Sequence, residues 1–316
     1  MKDRRLIIIL SILSLFVIAL YLLYGLSFDN WRYPLSLRLP RLLAFVLTSV
    51  TIAFSTMIFQ TITNNRILTP SIMGFDALYV FIQTLIVFFL GSANVLVSNK
   101  IMNFILSTLL MMGSGILFYQ IVFRKSKDNI LFLLLLGSVL STFFRSITSF
   151  LQFIIDPDEF FVIQNRMFAS FAQINTELIL IVLIVLLFLY PFVADDFKYY
   201  DVIALGRDHA INLGVPYSRM IKKSILLVTI LISLSTALVG PITFLGMIVV
   251  NLARERLEGY YHRTLLVTST LLSILFIVGG QFLVERIFQF RTTIGVIINF
   301  FGGLYFIFIL LKENRI

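Results

Sequence analysis

The residue types that carry catalytic chemistry are scarce in this sequence. It has no cysteine, and its two histidines, His209 and His262, stand far apart. None of the motifs G-x-x-x-x-G-K-[ST], H-E-x-x-H or G-x-S-x-G occurs, so the chain lacks the usual phosphate cradle for ATP and the usual hydrolase signatures. We therefore predict no enzymatic activity, no cofactor and no metal site, with both histidines at the cytoplasmic surface.

The clearest polar feature is the segment 204–223, which separates two long apolar runs. Its charged residues exclude it from the hydrocarbon of a membrane. Glycine and proline at 206, 214 and 216 permit tight turns between short helices. Its apolar residues offer a small hydrophobic surface: Leu205, Ile211, Leu213 and Val215. We predict a pair of short amphipathic helices on the cytoplasmic face, placed to be moved by another protein; a loop lying on the membrane surface is the alternative.

Four arginines occupy positions that need a physical explanation. Arg38 and Arg41 precede one predicted span and Arg286 ends another, where snorkelling to lipid headgroups is common. Arg145 lies inside a span, which costs about 3 kcal/mol on insertion scales. We expect it to face a cavity or a partner: either an ion pair with Asp76 or a contact with an anionic solute on a transport path.

The composition indicates the class of protein to which these residues belong. Hydrophobic residues make up 59% of the 316, the mean hydropathy is +1.00, and charged residues are only 13%, which excludes a soluble globular domain. The apolar runs lack the alternation of a membrane β-barrel. We predict an all-α polytopic membrane protein that forms a single domain over residues 1–316. Its ten transmembrane helices lie at roughly 6–26, 42–62, 72–90, 101–122, 130–154, 177–194, 224–240, 242–253, 265–285 and 293–311.

The distribution of basic residues predicts the orientation. With both termini cytoplasmic, 17 of the 25 Lys and Arg lie on the cytoplasmic side and seven lie outside, as the positive-inside rule requires. The run 224–253 has basic flanks at both ends, so it must cross twice, with Gly240 and Pro241 at the turn and a short, protein-sheltered second limb. The basic residues lie at the ends of the spans and do not cluster on one soluble face. We therefore predict that the net charge of +9 reflects a cell-membrane location and that the protein has no nucleic-acid partner.

Six motifs, in chain order, resemble the FecCD-type permeases of ABC importers for iron–siderophores, haem and cobalamin. They cover residues 38–41 (RLPR), 60–74, 205–215, 240–254, 262–263 and 294–302. There are departures: Arg66 replaces the proline of the family's N-P-L-A, Thr243 replaces the second glycine of G-P-I-G, and Val250 with Asn251 replaces Pro-His. The resemblance implies a type II ABC importer permease fold without an ATPase motif of its own.

The resemblance also implies roles for individual residues. Arg38, Arg41 and Arg286 would dock an external substrate-binding protein, and Asn65 with Ile67 would form an inner gate on the translocation path, although an ordinary helix exit explains these two equally well. The segment 204–223 would act as coupling helices in a groove of the ATPase. Its matched residues are Leu205, Gly206, Leu213, Gly214 and Val215.

The implied partners are two ATP-binding cassette subunits, an extracytoplasmic substrate-binding lipoprotein, a second permease subunit and the lipid bilayer. The run 65–79 is similar to the catecholate-siderophore branch, which pairs two different permeases and favours a heterodimer over a homodimer. The cargo would be a ferric siderophore of catecholate type, anionic and suited to Arg145. The alternatives are a haem or cobalamin permease, or an ion-coupled secondary transporter, for which only Asp76 offers an intramembrane carboxylate.

Overall fold

The computed structural model describes residues 2–26, 31–125, 130–172 and 174–313, and in these residues all regular structure is helical. The first half contains α1 Lys2–Leu23, α2 Arg32–Ile62, a π-helical turn Ser71–Phe75 that leads into α3 Asp76–Leu90, α4 Val95–Ser98, α5 Lys100–Lys125 and α6 Ile130–Ile154. The second half contains α7 Pro157–Gln164, α8 Thr176–Val193, α9 Phe197–Ile203, α10 Arg207–Asn212, α11 Tyr217–Val239, α12 Leu245–Arg256, α13 His262–Arg286 and α14 Ile294–Glu313.

The predicted all-α polytopic architecture is confirmed. Seven of the described helices are long and apolar enough to cross a membrane: α1, α2, the π-turn with α3, α5, α8, α11 and α13. Helices α6, α12 and α14 occupy the remaining three predicted spans. The second limb of the run 224–253 begins three residues later than predicted, at Leu245, because the chain stays non-helical after Gly240. This limb has only 12 residues, and it is buried against neighbouring helices as its length requires.

Helix α2 forms the centre of the bundle. In its most apolar window 72% of the residues are buried, against 17% for α1, which lies at the periphery. Helices α11, α12 and α13 all pack on α2. Small side chains permit this close approach, as in other helix bundles in membranes: a Cβ added at Gly246 of α12 would collide with the Thr56 hydroxyl of α2.

Candidate docking surfaces and transport path

Helices α9 and α10 form a compact unit at the end of the bundle where α8 ends and α11 begins, and we call it the coupling unit (residues 197–216). Its interior faces the bundle through Tyr200, Ile203 and Ala210, which are all buried. Its two turns depend on glycine, because Gly206 has a φ of +100° and Gly214 a φ of +81°, a region that other residues rarely adopt. Only α10 lies within the predicted segment 204–223: the other short helix, α9, lies wholly before it, and residues 217–223 form the start of the long helix α11.

The coupling unit presents three of its four predicted apolar residues to the outside. The exposed fractions of Leu205, Ile211 and Leu213 are 60%, 48% and 64%. Val215 is only 8% exposed and packs into the main hydrophobic core, so the prediction that it belongs to the exposed apolar surface is wrong. The reason is its place directly before α11, where the backbone N–H of Val215 donates to the Ala210 carbonyl and turns the side chain inward. The outward apolar surface is therefore Leu205, Ile211 and Leu213.

His262 lies inside the protein, which corrects its predicted surface position. It is 3% exposed at the start of α13. Its ring Nδ1 lies 2.7 Å from Asp201 Oδ1, which also accepts the His262 backbone N–H, and its Nε2 lies 2.9 Å from the Thr61 hydroxyl. Asp201 belongs to α9 and Thr61 to α2. This chain of contacts therefore joins the coupling unit to the end of the central helix.

The contact between Thr61 and His262 can be tested by stability. Thr61→Val leaves His262 Nε2 buried without this partner, so we expect the free energy of unfolding to fall by about 1–3 kcal/mol. Thr48→Val is the matched control, because Thr48 lies on the same helix, is equally buried, and has a hydroxyl without a hydrogen-bond partner among the described residues. Thermal unfolding of the purified protein measures both, and equal midpoints would contradict the bridge.

The turn that leaves α2 holds the two predicted gate residues. Asn65 Oδ1 accepts the backbone N–H of Ile67 at 2.9 Å, which closes a local turn. The carbonyl of Arg66 accepts Gln60 Nε2 at 2.6 Å and Asn251 Nδ2 at 3.1 Å. This turn is therefore tied both to α2 and to α12 through Asn251, a residue that departs from the family motif.

The three arginines predicted to dock a binding protein converge at the opposite end of the bundle. Arg38 Nη1 donates to the carbonyls of Leu22 and Tyr24 at 2.7 and 3.0 Å, and Arg286 Nη2 donates to the same Tyr24 carbonyl at 3.2 Å. These carbonyls end α1, where a helix favours positive charge. The end of α1 thus brings together Arg38 and Arg286, which are far apart in the sequence.

Arg41 differs from the other two in having an acidic partner that the sequence pattern did not indicate. Its Nη1 lies 3.7 Å from Glu285 Oε1, and its Nη2 donates to the Ala172 carbonyl at 3.1 Å. Glu285 also accepts Gln281 Nε2 at 3.0 Å. Arg41 is therefore partly neutralised, whereas the acceptors recorded for Arg38 and Arg286 are uncharged carbonyls.

Arg145 lies on the exposed face of α6, together with Ser138, Thr142 and Ser149. Their spacing of four, seven and eleven residues from Ser138 places all four on one side of the helix. The hydroxyls of Ser138 and Thr142 donate hydrogen bonds to carbonyls of their own helix. The Arg145 guanidinium is therefore the group on this face that still requires polar surroundings.

Asp76 has a different partner from the one considered at the sequence level. Its Oδ2 accepts the Thr243 hydroxyl at 2.6 Å, and no ion pair joins it to Arg145 in the part of the chain that the structure describes. Thr243 is one of the residues that departs from the family motif. The Arg145 guanidinium and the Asp76 carboxylate still attract each other without direct contact, and water or another chain would supply the hydrogen-bond acceptors for Arg145.

Comparisons with known proteins agree with this architecture. The chain is 53% identical over 315 residues to the petrobactin import system permease protein YclO of Bacillus subtilis, covering 100% of this chain and 99% of that protein. It is 31% identical over 324 residues to the petrobactin import system permease protein FatC of Bacillus anthracis, covering 100% and 91%. The fold matches a metal-chelate type ABC transporter in an inward-facing conformation with a TM-score of 0.84 at 24% identity, covering 98% and 99%.

The family comparison spans almost the whole chain. The model of the FecCD transport family matches residues 6–312, which include all six motifs and both ends of the bundle described above. The chain belongs to the FecCD transport family.

Proposed function

We propose that this chain is the membrane-embedded permease subunit of an ATP-driven importer that carries a ferric siderophore into the cytoplasm. The observation that carries the proposal is the full-length identity of 53% to a petrobactin import permease, which makes ferric petrobactin the first cargo to test. The match of the family model to residues 6–312 supports a single permease domain.

The two ends of the bundle suit two kinds of partner. The exposed leucines of the coupling unit would insert into a groove of one of two ATP-binding cassette subunits, the second permease subunit would dock on the other, and both cassette subunits would hydrolyse ATP. The arginines at the opposite end would meet acidic residues of an extracytoplasmic substrate-binding protein. Both termini would then be cytoplasmic, in agreement with the bias of Lys and Arg toward that side. His262 would transmit movement of α9 to the gate turn after α2.

A second permease subunit would complete the path. The exposed face of α6 carries Arg145, which cannot face lipid without a large cost. A related but different partner, facing this helix across the pore, would enclose a water-filled route and place the guanidinium beside an anionic ferric complex. A ferric catecholate complex carries several negative charges, so it fits this route better than a neutral cargo does.

Reversing the charge of two docking arginines, the half-buried Arg38 and the exposed Arg286, tests the external partner. We expect Arg38→Glu with Arg286→Glu to slow the association of the cognate binding protein about tenfold at low salt, because exposed charges act mainly on the association rate. Arg32→Glu, on the same end of α2 and also exposed, is the control. Surface plasmon resonance on the reconstituted complex measures the rates; association as fast as in the unmodified protein would reject the docking role. Arg41→Glu is omitted because it would face Glu285.

Uptake of radioactive iron tests the function itself. A strain lacking this gene should lose uptake of ferric petrobactin and regain it with the intact gene, while uptake of a ferric hydroxamate and of haem continues. Selective loss with haem or cobalamin instead would support a permease of the same fold with another cargo. Persistence of uptake after ATP depletion at an intact membrane potential would favour ion-coupled transport and reject the ATP-driven mechanism.

A further inference from the structure

A cleft of about 380 Å³ lies between α9 and the first turn of α13. This volume is at the lower end of the range of about 300–1,000 Å³ that small-ligand sites occupy. Its wall is formed by side chains from residues 195–201, which follow α8, and from residues 261–264 at the start of α13. Neither the outward apolar surface of the coupling unit nor the docking arginines contribute to this wall.

The cleft carries charged side chains of both signs. Lys198 and Arg263 contribute positive charges, and Asp195 and Asp201 contribute negative charges. Asp201 is already engaged, because its Oδ1 lies 2.7 Å from His262 Nδ1 and also accepts the His262 backbone N–H. Asp195 is exposed and forms no ion pair within the part of the chain that the structure describes. Asp195 is therefore the carboxylate that remains available to a cationic group of a ligand.

The two positive side chains of the cleft are placed by neutral groups. Arg263 Nη2 donates to the Ala194 carbonyl at 3.0 Å, and the guanidinium carbon lies 5.7 Å from the centroid of the Phe197 ring. This hydrogen bond uses one of the five N–H groups of the guanidinium, which leaves four for a ligand. The exposed Lys198 ammonium lies 5.3 Å from the centroid of the Tyr199 ring. A guanidinium and an ammonium placed in this way are suited to a phosphate group.

The cleft lies at the level of the lipid headgroups. Helices α8 and α13 are both long and apolar enough to cross a membrane, and the cleft is placed where α8 ends and α13 begins. Asp195 follows the end of α8 by two residues, and Arg263 is the second residue of α13. Exposed apolar side chains adjoin both ends: Phe192 on α8, and Val267 on α13, one turn after Arg263 and on the same side of that helix. In a membrane these side chains meet lipid, so a ligand with a charged head and apolar chains matches the cleft.

We propose that this cleft binds the zwitterionic headgroup of an aminophospholipid such as phosphatidylethanolamine, with the phosphate between Lys198 and Arg263 and the ammonium beside Asp195. A headgroup that is only anionic would be repelled by the Asp195 carboxylate. A choline headgroup has no N–H group, so it cannot donate a hydrogen bond to that carboxylate. The proposal requires only that the chain spans a membrane, and so it stands apart from the cargo of the importer.

Lipid binding to the assembled transporter tests the proposal. We expect native mass spectrometry of the delipidated complex to show saturable binding of added phosphatidylethanolamine and weaker binding of phosphatidylglycerol and phosphatidylcholine. Asp195→Asn should weaken the binding of phosphatidylethanolamine about fivefold, equivalent to about 1 kcal/mol, and should not weaken that of phosphatidylglycerol. Lys198→Gln removes a phosphate partner, so it should weaken the binding of both lipids. Asp208→Asn and Lys222→Gln are the matched controls, since both residues are exposed at the same end of the bundle but lie outside the cleft, and neither should have an effect.

Four results would overturn the proposal. Equal binding of phosphatidylethanolamine and phosphatidylglycerol to the unmodified complex would show that the ammonium group is not recognised. Unchanged binding of phosphatidylethanolamine in both Asp195→Asn and Lys198→Gln would place the lipid elsewhere; both positions are exposed, so we expect both variants to fold. Binding of phosphoethanolamine as tight as that of the lipid would show that the acyl chains contribute nothing, and would assign the cleft to a soluble zwitterion. Absence of saturable lipid binding from the assembled complex would assign the cleft to a contact with another protein.

Discussion

Replacing Leu213 with aspartate should abolish ATP-driven uptake, with a loss of more than about a hundredfold. Leu213 stands in the turn between α10 and α11 and is 64% exposed. If a groove of the ATPase covers it, its burial contributes about 1.5–3 kcal/mol to the contact. An aspartate in the same groove would add the cost of a poorly solvated charge, so the two effects together exceed the roughly 3 kcal/mol that a hundredfold change requires.

The control for this variant must share its exposure and its side of the membrane. Tyr260 is 93% exposed in the loop between α12 and α13, outside the coupling unit, so Tyr260→Asp should leave uptake unchanged. Copurification of the ATPase and substrate-stimulated ATP hydrolysis in proteoliposomes measure the coupling directly. Normal copurification and normal stimulation in Leu213→Asp would exclude this surface as the docking site.

Hydropathy was sufficient to predict the helices because each span is determined by its own residues. Most of the ten predicted spans follow from apolar runs of membrane length, whereas the short second limb of the double crossing follows from basic residues on both sides of 224–253. The start of α12 was predicted three residues early because the chain after Gly240, which has a φ of +94°, leaves the turn without helical geometry until Phe244. Such a bend depends on the packing of Gly240 against the backbone of Ala169, which is remote in sequence.

Side-chain environments were harder to predict because they depend on distant elements. Val215 and Leu213 are similar apolar residues two positions apart, yet one is buried and the other exposed. His262 looked like an isolated surface residue because its partners, Asp201 and Thr61, lie 61 and 201 positions away. The location of the docking arginines was easier to predict, because their positions at span ends already implied a common membrane face. The pairing of Arg41 with Glu285 could not be predicted in this way, because it depends on the contact between α2 and α13.

Arg145→Ala should lower uptake of an anionic ferric catecholate by about tenfold or more. The residue lies near the middle of α6 on a face that the single subunit leaves open. Two unit charges 5 Å apart interact by about 1.7 kcal/mol at an effective dielectric constant near 40, and a complex with several negative charges gains more than this. A neutral ferric hydroxamate lacks this electrostatic attraction to Arg145. Where the importer accepts such a hydroxamate, its transport should therefore decline less than that of the anionic catecholate.

Arg145→Lys separates charge from shape at this position. Lysine keeps the positive charge but loses the planar fork of the guanidinium, so a contact with a moving anionic cargo should be largely restored, whereas a fixed contact with the second permease subunit should not. Ser149→Ala, on the same helix face, controls for disturbance of α6 and should leave uptake unchanged. Thermal unfolding of each complex shows whether assembly has changed. A contact with the cargo in the pore should leave the stability of the resting complex unchanged. Three results together would therefore assign Arg145 to the subunit interface: equal loss of anionic and neutral cargo transport, a lower unfolding midpoint, and no rescue by lysine.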